Sequence, residues 1–191
     1  MKFSRTEIKD LLKAWIAISL AFTVVNVGFS FNISFLVGFF MSGLTVGIGF
    51  LAHELAHKYV AQRFHCIAEF RSFDSMLVLA LFLSIFGFVF VAPGAVVISG
   101  FISRKNHGKI AAAGAAANLA LALIFLLLFL LGLPLLTPLA SYGFMINSFL
   151  ALFNLLPFWN FDGLKVLEWS RVAYIILITI AGIFMIIQGL L

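Results

Sequence analysis

Cysteine is nearly missing from this chain. Cys66 stands alone among 191 residues, so no internal disulfide can form, and the thiol beside His65 is expected to be buried or held in a loop. Charge is scarce as well. Asp, Glu, Lys and Arg make up 10% of the chain against 64% hydrophobic residues, with a mean hydropathy of +1.20, and no ordinary water-soluble domain carries such a composition. No stretch is long and polar enough to form a second, aqueous domain, so residues 1–191 read as a single membrane-embedded domain. No repeat is visible, and the two halves lack the inverted pairing that would suggest a transporter. No small-residue cleavage site follows the first apolar run, which therefore reads as a retained signal-anchor helix.

The net charge of +5 is not a nucleic-acid signature, because no basic face with interleaved aromatics exists to track phosphates. It is a topology signal. Lys2, Arg5, Lys9 and Lys13 precede the first apolar run; Lys58, Arg63 and Arg71 follow the second; Arg104, Lys105 and Lys109 precede another; Lys165 and Arg171 precede the last. The positive-inside rule places all four groups on the cytoplasmic side, giving a multi-pass protein of the cell membrane with a cytoplasmic N-terminus and the lipid bilayer as its solvent.

The expected architecture is an all-α polytopic membrane protein of about five transmembrane helices, at 14–29, 35–64, 110–131, 139–156 and 172–190. Residues 76–101 are too short to cross twice as helices, yet both ends should lie inside. They read as a re-entrant short helix and β-hairpin on the cytoplasmic side, turning at Ala92-Pro93-Gly94-Ala95 between Phe88-Val89-Phe90-Val91 and Val96-Val97-Ile98. Backbone of that kind is tolerated at depth only against protein or a water-filled cavity, so the hairpin should border a site. Gly43 and Gly47 on one helix, and the run from Ala111 to Ala117 on another, predict close packing of those two helices. Trp15, Trp159 and Trp169 lie near span ends as interfacial anchors.

Into the second apolar run falls His53-Glu54-Leu55-Ala56-His57. On a helix the two histidines, at i and i+4, share a face and can grip one Zn²⁺, with Glu54 placed to polarise a bound water. Ionisable groups in hydrocarbon are too costly to be filler. A catalytic zinc usually takes three protein ligands, so a further carboxylate or imidazole is required. Asp162 is the candidate, past a helix ended by Pro157 and before Gly163, which permits a sharp bend. Alone, Asp162 reads as a helix N-cap; a metal-gripping helix nearby turns the reading to ligand. Glu7, Asp10, Glu69, Asp74 and Glu168 lie among basic residues as solvated or interfacial pairs, and His65 and His107 read as surface histidines.

With these motifs in order, the chain resembles the site-2 protease family of intramembrane zinc metalloproteases. That family pairs a membrane-embedded HExxH with a later N-x-x-P-x-x-P-x-D-G segment and an intervening A-G-P-x-x-N. His53 to His57 match the first motif; Asn154, Pro157, Asp162 and Gly163 match the second; Ala113, Gly114 and Asn118 match the third. Asn160, Leu164 and Ala115 depart from the pattern without removing a ligand or the base. The resemblance implies regulated intramembrane proteolysis of a transmembrane protein substrate, with zinc on His53, His57 and Asp162, Glu54 as catalytic base, and Asn154 positioning the substrate or stabilising the oxyanion. Substrate contact is assigned to Asn118 and, on the hairpin, to Phe90 and Val96, where an unwound substrate segment could add as a strand. Prenyl-peptide proteases also carry HExxH in a membrane helix, but they need a later intramembrane glutamate that this chain lacks. From another class, a non-catalytic membrane metal- or proton-binding protein or regulator would use the same three residues as a relay.

Overall fold

A computed structural model describes residues 1–30, 32–89 and 93–191. The elements run α1 (Arg5–Val27), α2 (Ile33–Ser42), a π-helical turn (Gly43–Gly47), α3 (Ile48–Arg63), β1 (Ile67–Ser72), α4 (Asp74–Ser84), β2 (Gly94–Ser99), α5 (Arg104–Leu130), α6 (Thr137–Asn154), α7 (Asp162–Trp169) and α8 (Arg171–Leu190). Among the described residues four helices are long and apolar enough to cross a membrane: Arg5–Val27, the continuous Ile33–Arg63, Arg104–Leu130 and Arg171–Leu190. The expected fifth span, α6, has 18 residues but is not among these four. Its sequence is interrupted by Ser141, Asn147 and Ser148, two of them buried and hydrogen-bonded inside the bundle. Large apolar side chains such as Phe40, Leu127 and Ile186 stand exposed on the outer faces, the arrangement a lipid solvent requires.

α5 is the central element, packed against α3, α6, α7 and α8. Ala115 and Leu119 of α5 meet Ala151 of α6, Leu155 and Ala181 of α8, while Ala122 and Phe125 meet Phe144 higher on α6. Small residues on α5 let its neighbours come close. A side chain at Gly108 would collide with Trp169 and the Lys165 carbonyl, which is how α7 docks on α5.

The glycine pair does not do what the sequence predicted. α3 and α5 do pack together, but Gly43 and Gly47 form a notch for Trp15 of α1, whose indole N–H donates to the Gly43 carbonyl at 3.0 Å. Those glycines sit in the π-helical turn. A wider turn shifts the phase of the helix, so the glycines face α1 while the histidines that follow face α5. Trp15 is therefore a packing knob and not a free interfacial anchor. Trp169 likewise packs on Gly108, and only Trp159, 86% exposed, stands clear.

The re-entrant segment also needs correction. A short helix (α4) and a strand (β2) lie in the expected region, but β2 pairs antiparallel with β1, from Ile67↔Ser99 to Ser72↔Gly94. Phe88 and Val89 are not in a strand, and Phe90, Val91 and Ala92 fall outside the described residues. Antiparallel pairing needs only that two segments meet side by side, and α4 folds back far enough for Gly94 to meet Ser72. The excursion thus returns to its starting point. The ladder ends where Phe73 N–H donates to the Pro93 carbonyl, because Pro93 has no N–H to return.

The acids expected as solvated pairs divide in two. Lys13 bonds Asp74 at 2.5 Å, and that hydrogen bond, with one from Ser72, holds the exposed Asp74 carboxyl below its ordinary range. Glu7 is different: it and Lys58 are both fully buried, 2.5 Å apart. Lys58 Nζ also donates to the Lys2 carbonyl at 2.6 Å and lies 4.0 Å over the Phe3 ring, while Glu7 Oε1 accepts the Phe70 N–H at 3.0 Å. The residue after His57 is thereby locked to α1 and β1. Lys109, near the start of α5, lies 5.8 Å over the ring of Phe64 at the end of α3.

Candidate metal centre

Three buried side chains meet where α3, α5 and α7 converge. His53 Nε2 and His57 Nε2 are 2.9 Å apart, as the i, i+4 spacing requires, and both face Asp162 Oδ2, at 3.2 and 3.0 Å. Asp162 is the first residue of α7, with Phe161 as N-cap, so its side chain is free to leave the helix end and turn to the imidazoles. The bend that brings it there depends on Gly163: a Cβ at that position would collide with the Leu155 carbonyl and lie 2.7 Å from Leu156 O. Gly114 of α5 lies under the rings, where a Cβ would come within 2.7 Å of His53 Cε1. The other oxygen of Asp162, Oδ1, receives Lys165 Nζ at 3.3 Å.

The outer nitrogens determine what the inner ones can do. His57 Nδ1 lies 2.8 Å from the Ile110 carbonyl, which can only accept, so Nδ1 carries the proton and Nε2 presents a lone pair. His53 Nδ1 lies 2.8 Å from Asn118 Oδ1, an acceptor because the Asn118 NH₂ already donates to Gly49 O and Asn147 Oδ1, each at 3.1 Å. The Lys165 ammonium at Oδ1 favours the ionised carboxylate of Asp162. Two imidazole lone pairs and an anionic oxygen thus converge on one point.

That donor set fits a metal. The three ligand atoms form a group able to hold an ion, and their separations approach the ~3.3 Å expected between neighbouring ligand atoms on a tetrahedral zinc with bonds of about 2.0–2.1 Å. Nitrogen and carboxylate ligands suit zinc among common divalent ions.

Glu54 is buried beside its histidines, and its Oε2 accepts the Val96 N–H at 3.0 Å. In the sheet register Val96 faces Phe70, and the N–H of each points away from the other, one to Glu54 and one to Glu7. Val96 is therefore in a non-hydrogen-bonded pair, and by alternation Gly94, Val96 and Ile98 direct their backbone polar groups to the edge that β1 leaves open. Val96 thus reaches the site through its backbone.

Two predicted residues have their amides engaged within the bundle. Asn118, expected at the substrate, is fully buried with its amide bonded to His53, Gly49 and Asn147, which puts it behind the ligand. Asn154 donates its amide to the Leu150 carbonyl of its own helix at 2.9 Å. Phe90 is outside the described residues. Sequence reasoning missed Asn147, although a fully buried polar residue in an apolar helix was the available signal, and it missed Glu7 and Lys58, for which no local signal exists.

No protein-family profile matches the chain, and no solved structure does. A protein of Methanocaldococcus jannaschii described as "Putative zinc metalloprotease" is 42% identical over 173 residues, covering 88% of this chain and 87% of the relative. Similarity of that degree along nearly the whole length of both proteins accompanies a buried His/His/Asp centre with an adjacent glutamate, and the chain belongs to the family of that zinc metalloprotease.

Proposed function

We propose that the protein is an intramembrane zinc endopeptidase of the site-2 protease type, cleaving peptide bonds within or near transmembrane segments of membrane-protein substrates. It would sit in the cell membrane with its basic groups and the N-terminus in the cytoplasm. The observation that carries the reading is the convergence of His53, His57 and Asp162 beside Glu54, with both histidines and the glutamate on a helix of 31 residues apolar enough to span a bilayer.

His53, His57 and Asp162 would hold the ion. Bound there, zinc supplies a Lewis acid that lowers the pKa of a coordinated water to about 7. Glu54 takes the proton of the attacking water on Oε1, the oxygen not engaged by Val96, and delivers it to the leaving nitrogen. Asn154 would stabilise the oxyanion by exchanging its bond to Leu150 for one to the substrate. A helical substrate has its peptide groups paired internally, so it must unwind, and the open edge of β2 offers backbone partners to the unwound segment.

Glu54→Gln tests the chemistry. An amide keeps an acceptor for Val96 but takes no proton, so cleavage of a membrane substrate should fall by about 10²–10⁴-fold with zinc content unchanged. A non-catalytic metal-binding protein would be indifferent to that exchange, and cleavage at the wild-type rate would reject the proposal. Ile98→Pro tests the edge: it removes an outward-facing N–H without touching the β1 ladder, so cleavage should drop while zinc stays bound. Unaltered cleavage would remove β2 from substrate binding.

A further inference from the structure

We infer that Asn147 is a positioning residue for the metal centre: through Asn118 it sets which nitrogen of His53 carries the proton, and so which one faces the metal. The inference rests on the reading of His53, His57 and Asp162 as metal ligands and is independent of what the protein cleaves.

The argument lies in the direction of the hydrogen bonds. Asn147 Nδ2 donates to the Gly143 carbonyl at 2.9 Å, which leaves Oδ1 of the same amide as the acceptor on its other side. Asn118 Nδ2 gives one hydrogen to that oxygen and the other to the Gly49 carbonyl, both at 3.1 Å. Asn118 Oδ1 is then turned to His53 Nδ1 at 2.8 Å, and only an N–H satisfies it. Both ends of the chain rest on main-chain carbonyls, which never donate. Turning over either amide would set oxygen against oxygen, so the whole relay has one consistent polarity, and it ends with the His53 Nε2 lone pair pointing at Asp162 and His57.

The packing is built around this relay. Asn118 and Asn147 are fully buried, and a side chain at Gly49 would occupy the place of the Asn147 amide oxygen. Three helices contribute: α3 carries the ligand and the Gly49 carbonyl, α5 carries Asn118, and α6 carries Asn147. The two histidines are controlled differently. His57 answers to the backbone carbonyl of Ile110 and needs no side chain for its tautomer, whereas His53 depends on two amides. Loss of Asn147 should therefore disturb one ligand and spare the other. A packing defect would not discriminate between them.

The test uses the full-length, ¹⁵N-labelled protein in micelles, with zinc removed and at a pH where both imidazoles are neutral, so that ring couplings report the tautomer of each histidine. In the wild type both rings should carry the proton on Nδ1. In Asn147→Leu the Asn118 amide keeps only the Gly49 carbonyl to orient it, so His53 should shift towards a mixture while His57 is unchanged, and zinc affinity, measured by chelator competition, should fall up to about tenfold. Asn147→Asp, neutral in this fully buried position, can donate its O–H to the Gly143 carbonyl and still accept from Asn118, so it should keep both the His53 tautomer and most of the affinity, which covers the case in which the leucine variant does not fold. In an Asn118→Leu background, Asn147→Leu should cost no further affinity. A wild-type His53 protonated on Nε2, or additive losses in the double variant, would overturn the relay. Absence of zinc binding in the wild type would instead reject the metal reading, and the tautomer measurement on the metal-free protein would still decide for or against the relay.

Discussion

Lys58→Met should lower the stability of the protein in micelles by about 3–5 kcal/mol, the cost of leaving one member of a buried ion pair without its partner. The fully buried Glu7 carboxyl would be left without Lys58 Nζ at 2.5 Å, and the N-terminal segment would lose its tie through the Lys2 carbonyl and the Phe3 ring. The double variant Lys58→Met/Glu7→Gln should recover most of that loss. Glutamine removes the orphaned carboxyl while its amide oxygen still accepts the Phe70 N–H, a bond that leucine would abandon at a further cost of about 1–3 kcal/mol. Thermal unfolding of the two variants beside the wild type makes the comparison. A single variant as stable as the wild type would mean that the pair is hydrated and contributes little. Because Lys58 follows His57 on α3 and Glu7 carries β1, the pair also sets the sheet against the ligand helix. The single variant is therefore expected to lose zinc affinity as it loses stability.

Asp162→Ala should reduce zinc affinity by roughly a hundredfold or more, beyond the ten- to hundredfold typical of losing a partner that merely supports a ligand. Alanine leaves two imidazole lone pairs 2.9 Å apart with no anion between them and the ion, and Lys165 without its acceptor. The surrounding backbone should persist, since α7 is anchored independently by the buried Val166 and by Trp169 against Gly108. The expected result is a folded protein purified with little zinc, measured by elemental analysis and chelator competition. Full stoichiometry at wild-type affinity would take Asp162 out of the ligand set and, with it, the protease reading.

Much of the site was legible because its chemistry is written locally. His53, Glu54 and His57 are bound together by helical spacing alone, and their cost in an apolar run marks them. Asp162 was legible in two steps, from the ligand count a catalytic zinc requires and from the flanking Pro157 and Gly163. The sheet was half legible. β-branched residues and the stop at Pro93 marked β2, but its partner is a strand that lies before α4, and pairing partners are not encoded in the strand itself. Gly43 and Gly47 announced a close approach without saying to what, and the answer was Trp15, because a π-helical turn lies between them and the histidines.

By itself, the sequence determined that this chain belongs in an apolar solvent and that one helix carries two imidazoles four residues apart with a carboxylate beside the first, and it offered Asp162 as the acid to complete the set. These follow from composition and from the fixed geometry of a helix. Only the tertiary structure decided that Glu7 is the partner of Lys58, that Asn118 stands behind His53 with Asn147 behind it, and that the open edge of β2 faces Glu54. Each of these joins residues far apart in the chain through bonds whose direction depends on which neighbour is already satisfied, and only the packed bundle supplies that neighbour.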